Sequence, residues 1–195
     1  MKNKDLILVG GGGHCKSCIE VIETSSDFII KGILDLPGNT GNMVLGYPVI
    51  GTDSDIAGLV LQKHSFLVTL GSTGPSPKRA ELYRLLRSLG AGLVTVAATT
   101  AVISRSARLG AGTIVMHHAI VNASAVIGDN CIINSRALVE HDAVIGDHCH
   151  ISTGAIINGG VRVGEGTFFG SGAIAVQEAV VPAHSFIKAH TLFIK

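Results

Sequence analysis

The sequence predicts two architectures in series: a small Rossmann-like α/β unit with a parallel sheet over residues 1-98, and a left-handed parallel β-helix of hexapeptide repeats over 99-195. Three observations carry this. Apolar runs alternate with helical patterns in the first half. A strict six-residue apolar period governs the second. A companion column of small residues keeps step four places after each apolar one.

In the first half "DLILVG" is a strand, "HCKSCIEVIETSS" an amphipathic helix and "FIIKGILD" a second strand. "HSFLVTLG" is a third strand, "PKRAELYRLLRSLG" a helix closed by glycine, and "GLVTV" a short final strand. Strands separated by helices predict parallel pairing with right-handed crossovers.

In the second half every sixth residue from Ile103 to Ile187 is apolar. The companion positions, from Ala107 through Cys131 and Cys149 to Ser185, are almost all small. A helix of about 3.6 residues per turn would smear such a period around its surface. A triangular solenoid satisfies it, because the aliphatic column stacks inside the prism and the small column lets the chain turn. Three hexads make one coil, so residues 18 apart lie one above another at about 4.8 Å. Gly110, Gly128, Gly146, Gly164 and Gly170 are expected to take corner backbone angles closed to other residues.

Composition narrows the function classes. An apolar fraction of 47% with 15% charged residues describes a folded chain, and a net charge of +1 gives no footprint for nucleic acid. The apolar run near the start is only four residues long before "GGGG", so it reads as a buried strand and not as a signal peptide. No stretch predicts insertion into a membrane, and a cytoplasmic protein is expected. Cys15 and Cys18 form a lone C-x-x-C, read as two small buried residues of one helix face and not as a redox pair or zinc half-site.

Against this regularity, "ALVEHDAVIGDHCHIS" packs Glu140, His141, Asp142, Asp147, His148 and His150 between the inward positions 139, 145 and 151. These polar residues must face outward or sit at corners. Histidine titrates near neutrality, so His141 can take a proton from an attacking amine or hydroxyl, with Asp142 orienting the ring and stabilising its charged form. One coil above His141 stands Gly159, where the missing side chain lets a ligand approach the backbone and an amide meet a developing oxyanion. His150, between inward Cys149 and Ile151, is expected to point out from a flat strand. Cys149 itself belongs to the small inward column and is no nucleophile. His117, His118 and His148 read as surface or interface residues, and His184 and His190 belong to the tail. In the front half "LVGGGGH" opens a helix where amides and the dipole can meet phosphate, although the third glycine of a dinucleotide fingerprint is missing.

The order "LILVGGGGHCKSCIEVIE", "GILD", "VTLGS", "NSRALVEHDAVIGDHCHIS" and "GAIINGGVRVGEG" resembles the hexapeptide-repeat sugar acyltransferases over nearly the whole chain. These are related to sialic acid O-acetyltransferases and to the N-acetyltransferases of nucleotide-linked amino sugars of the bacillosamine and perosamine type. The resemblance implies an acetyl-CoA-dependent enzyme without a metal, with His141 as base and Asp142 raising its basicity, and it matches Glu140 and Asn134 to polar positions of the active site. It also implies that His150, Gly159, Ser171 and the stretch at Ala189 meet acetyl-CoA, and that Gly12, Gly13, His14 and Asp35 hold the nucleotide of the sugar. A homotrimer with sites between subunits is implied as well. The ending "SFIKAHTLFIK" departs from the family, with Lys188 and Ala189 where small glycines are expected.

The favoured activity is N-acetylation of a nucleotide-linked amino sugar, at a 4-amino group. The alternatives are O-acetylation of a sialic-acid-type sugar and a non-catalytic trimeric scaffold that binds nucleotide-sugars. A zinc carbonic anhydrase on this fold needs two histidines five residues apart, and no pair among the nine has that separation.

Overall fold

A computed structural model describes residues 4–25 and 27–194; the ends of the predicted segments at residues 1–3, 26 and 195 lie outside them. The chain divides into two units: the first holds the residues up to Gly71 with Lys78–Val94, and the second holds Ser72–Pro77 with the residues from Thr95 onward.

The first unit is a six-stranded sheet of β1 (Lys4–Val9), β2 (Phe28–Leu34), β3 (Met43–Val44), β4 (Tyr47–Gly51), β5 (Ser65–Val68) and β6 (Gly92–Leu93). Its order is β3-β4-β2-β1-β5-β6. Pairing is parallel except between β3 and β4. Leu6, Ile7 and Leu8 of the central β1 are fully buried, as an apolar run covered on both faces requires. Helix α1 (Gly13–Ser25) buries Cys15, Cys18, Ile19 and Ile22, the i, i+3, i+4, i+7 stripe of an amphipathic helix. Helix α2 (Ile56–Leu61) and the β3–β4 hairpin add to the predicted elements. On α3 (Pro77–Ser88) the same spacing buries Arg79, Leu82, Tyr83 and Leu86. An arginine in a core stripe needs acceptors, and Arg79 Nη1 donates to the carbonyls of Val68 and Leu70 at 2.6 and 3.0 Å. It thereby fixes the end of β5.

The predicted strand "GLVTV" is divided. Gly92–Leu93 pairs with β5, whereas Val96–Ala97 pairs with Ile114–Val115 in the second unit. The solenoid therefore begins one hexad before Ile103, and Phe193 packs against its core at the far end.

The second unit is a left-handed parallel β-helix. Its two-residue strands form three parallel sheets in which every third strand is a neighbour. The register steps by one coil each time, Ile132 opposite His150 and His150 opposite Phe168. Val115, Val121, Ile133, Val139, Ile151 and Ile157 of the inward column are fully buried, and so are Ala119, Ala125, Ala137 and Ala155 of the small column. Where the small residue carries a donor, it serves one recurring acceptor. Thr95, Thr113, Cys131, Cys149 and Thr167 donate to the carbonyls of Gly110, Gly128, Gly146, Gly164 and Pro182. Cys149 is thus a buried donor with 1% of its surface exposed.

The glycines act differently from expectation. Left-handed backbone angles fall on another column, one residue in six from Gly112 to His190, which includes Asn130, Asp142, His148, Gly154, Gly160, His184 and His190. Asn, Asp and His tolerate that region better than most residues. His184 and His190 are consequently regular corners of the last coils and not a tail. Gly110, Gly128, Gly146, Gly164 and Gly170 have no such angle; each lies against the coil above. A Cβ on Gly146 would come within 2.7 Å of the Glu165 nitrogen and 2.9 Å of its Cα.

Gly146→Ala should therefore cost about 2–4 kcal/mol in a denaturant titration, because backbone must move. Gly154→Ala meets only the strain of φ +65° with open space around it, and should cost about 1 kcal/mol.

Candidate active site

The corner at residues 140–142 follows a rule repeated around the prism: the residue after an inward position caps the next backbone N–H. Asn122 Oδ1 accepts from Ala123 N at 2.8 Å, Asn134 Oδ1 from Ser135 N at 2.8 Å, and Glu140 Oε2 from His141 N at 3.2 Å. Asp142 takes the left-handed position at φ 59°, which turns its carboxylate back to the ring before it. His141 Nδ1 and Asp142 Oδ2 lie 2.8 Å apart, so Nδ1–H donates and Nε2 carries the lone pair. The hydrogen bond from the ring to Asp142 is the chief reason that His141 holds its proton more tightly than an ordinary histidine. Opposing desolvation is smaller, and the charges of Asp142 and Glu140 add to the upward shift.

Gly159 stands over this imidazole. A Cβ there would lie 2.7 Å from Nε2 and 2.8 Å from Cε1, so only glycine leaves the ring its place. The Gly160 amide is committed to the carbonyl of His141, and the Gly159 carbonyl accepts from Glu178 N. Asn158 departs from the capping rule. Its Nδ2 donates to the Ala175 carbonyl at 2.7 Å instead, and the Gly159 N–H has no acceptor among the described residues. An uncapped amide beside an unencumbered imidazole nitrogen is an arrangement for binding an acceptor oxygen and moving a proton.

His150 faces out of the prism as its strand parity requires, but the flank is not open; only 8% of it is exposed. Ser72 Oγ lies 3.2 Å from Nδ1, Asn134 Nδ2 lies 3.1 Å from Nε2, and Phe168 packs edge-on at 5.0 Å. Because Asn134 Oδ1 takes the Ser135 N–H, its amide donates to Nε2, which puts the His150 proton on Nδ1 towards Ser72. Asn134 thus pairs with His150, and the pair holds Ser72 at the start of the 72–77 segment. Ser171 shares a hydrogen bond with Ser152 at 2.9 Å, and Ala189 is an exposed corner residue one coil above Ser171.

In the first unit Gly10 has φ +107°, and a Cβ on Gly11 would lie 2.7 Å from Asp35 Oδ2. Gly12 and Gly13 have open space around them at the start of α1. Asp35 Oδ2 accepts from Asn39 Nδ2 at 2.7 Å. A cavity of about 150 Å³ lies beside it, lined by Gly10, Leu34, Asp35, Leu36, Asp53 and Lys78 among others. His14 packs over Gly71. Burial first, and the Arg79 guanidinium second, lower its pKa to about 4, so it is a neutral donor or acceptor at neutral pH and no cation for phosphate. Burial likewise raises Cys15 to about 11 and Cys18 further, which excludes thiolate chemistry at C-x-x-C.

Asn39, Ser72, Arg79 and Asn158 carry no motif. Two had a signal: Arg79 sits at the apolar spacing of its helix, and Asn158 is one coil above Glu140. No group of three or more His, Cys, Asp or Glu among the described residues is placed to hold a metal ion, and no helix among them is long and apolar enough to cross a membrane.

The PglD N-terminal domain family matches residues 5–84. A histidine-to-alanine variant of GDP-perosamine N-acetyltransferase from Caulobacter crescentus, in complex with CoA and GDP-perosamine, superposes with a TM-score of 0.91 at 34% identity, over 98% of this chain and 89% of that one. The acetyltransferase domain of PglB from Neisseria gonorrhoeae, in complex with acetyl coenzyme A, gives 0.88 at 30% identity, over 98% and 93%. WeeI from Acinetobacter baumannii gives 0.77 at 21% identity over 97% and 96%, a likeness of fold. No curated protein sequence matches.

Two titrations test these environments. NMR should find His141 titrating above the ordinary 6.5, and Asp142→Asn should bring it back down; an unshifted ring would refute the ion pair. His14 is depressed in the folded chain, so the unfolded chain takes up its proton first as pH falls below about 6.5. Folding stability should drop by roughly 3 kcal/mol between about pH 6.5 and 4, and His14→Gln should flatten that slope in urea melts.

Proposed function

The chain belongs to the hexapeptide-repeat sugar acyltransferases, and we propose that it transfers the acetyl group of acetyl-CoA to the 4-amino group of a nucleotide-linked sugar, with His141 as the general base. The carrying observation is the pairing of His141 with Asp142 beneath Gly159, which leaves Nε2 bare beside an uncapped amide. The amine attacks the thioester carbon while Nε2 takes its proton. A C–N bond forms, the carbonyl oxygen gains charge near the Gly159 N–H, and the C–S bond breaks. The imidazolium then returns the proton to the departing CoA sulfur. Transfer is direct, since the two cysteines of the prism, Cys131 and Cys149, are buried donors. Asp142 keeps the ring in the Nδ1–H tautomer and favours its charged form during transfer.

The first unit holds the nucleotide portion of the sugar, with Gly12 and Gly13 presenting the open start of α1 to phosphate and the Asp35 carboxylate beside the cavity. His14 adds a neutral hydrogen-bonding group. Acetyl-CoA lies along the prism corner that carries Ser171 and Ala189. His150 and Asn134 serve it indirectly, through the segment they hold. Glu140 is taken up below. The working unit is a homotrimer. One sheet presents Val102, Ile120, Leu138, Ile156, Ile174 and Leu192 in succession on its outer side, an aliphatic stripe fit for burial against another copy. A cytoplasmic location belongs to the same reading, because acetyl-CoA is supplied there.

His141→Ala should lower kcat by at least a hundredfold, read as thiol release from acetyl-CoA with GDP-perosamine or UDP-linked 4-amino sugars as acceptors. Oligomeric state and sugar binding should be unchanged. Full activity in that variant would leave the chain a binding scaffold, and turnover only with a sialic-acid-type hydroxyl acceptor would move the nucleophile from nitrogen to oxygen. The wild-type rate should rise with pH as His141 loses its proton, on a limb displaced above 6.5.

A further inference from the structure

We infer that Asn122, one coil below the catalytic corner, is a positioning residue that locks the Glu140 carboxylate beside His141. This rests on the reading of His141 as the base. Asn122 is half-buried and its amide has a single orientation: Oδ1 accepts from Ala123 N at 2.8 Å, which leaves Nδ2 to donate to Glu140 Oε2 at 2.9 Å. The same oxygen accepts the His141 N–H at 3.2 Å. One carboxylate oxygen is thus gripped from below by a side chain and from the side by the backbone of the base.

Asparagine meets both demands from this position. The corner needs an acceptor for the next amide, which Asp and Ser also provide; the rung above needs a donor, and Glu140 can only accept when ionised. In the neighbouring corner stack Asn134 caps in the same way and spends its amide on His150, so the amide of a capping asparagine is the variable part of a fixed device. At Glu140 a carboxylate has replaced the neutral amide in this stack of Ser104, Asn122, Glu140 and Asn158. A charged cap with one backbone donor would leave the corner for water. With Asn122 it stays, and its field acts on the ring from a constant place. The charged groups acting on the ring are Asp142 and Glu140.

The test is an NMR titration of the His141 ring in the full chain, which needs no substrate, in wild type, Asn122→Ser, Glu140→Gln and the double variant. Asn122→Ser keeps an oxygen that can accept from a corner amide, as Ser104 Oγ does from Ser106 N at 3.4 Å, and draws the donor back from Glu140 on an arm one bond shorter. The titration should move to lower pH in Glu140→Gln, move the same way in Asn122→Ser, and show no further movement in the double variant. A wild-type curve in Asn122→Ser, or an additive shift in the double variant, overturns the inference. Should Asn122→Ser prove unfolded by circular dichroism, Asn122→Gln, which keeps both groups on a longer arm, must restore the wild-type titration or the inference falls. With an acceptor sugar, Asn122→Ser should lower kcat several-fold and leave KM for acetyl-CoA unchanged. Persistent turnover in His141→Ala would overturn the assignment of the base while leaving this coupling to be judged by the titrations alone.

Discussion

The structure depends on one constraint, that each coil of the prism hands its backbone hydrogen bonds to the next with an unvarying register. Strands of two residues cannot hold a sheet alone; they are stable because identical pairs recur above and below at strand spacing. Everything inside must then fit a column, which is why the inward positions accept only aliphatic or small residues. The threonines and cysteines among the small ones have a further task. They supply a donor to the carbonyl of the corner where two coils come closest, so a polar group enters the core without an orphaned partner.

The site is a by-product of that stacking. A corner residue has one neighbour below and one above, fixed by the register, and the chemistry of the E-H-D corner is written in those vertical pairs: Asn122 under Glu140, Gly159 over His141. The horizontal pair, His141 with Asp142, owes its geometry to the left-handed turn that each hexad makes from Gly112 onward. No loop has to close to bring the imidazole, the carboxylate and the amide together. Preorganisation here is a property of the scaffold.

The period made the prism legible in the sequence, because a column of apolar residues has one geometric solution. The outward orientation of His141 and its partnership with Asp142 followed from the same arithmetic. Three features were not legible. The close-packed glycines and the left-handed corners occupy different columns, and in a one-dimensional pattern both look like turn residues. The cover over His150 comes from residues 72–77, whose Gly, Ser and Pro content looks like a linker and gives no hint of where it lies. Arg79 looks like any surface arginine of a polar helix until its spacing is compared with Leu82, Tyr83 and Leu86, and its acceptors are backbone carbonyls that no sequence motif records. Long-range side-chain contacts were visible only where the repeat supplied the distance.

The left-handed corner column has an evolutionary reading. Since the turn is held chiefly by the corner residue's own N–H, which donates to a carbonyl of the coil beneath, and not by the side chain that occupies it, the occupant can be exchanged: the fourteen such positions hold glycine, histidine, serine, asparagine, arginine, aspartate and glutamate. Such a wall of interchangeable sockets gives selection many places to try an ionisable group. A new activity on this architecture can arise by repopulating corners, with the prism inherited intact.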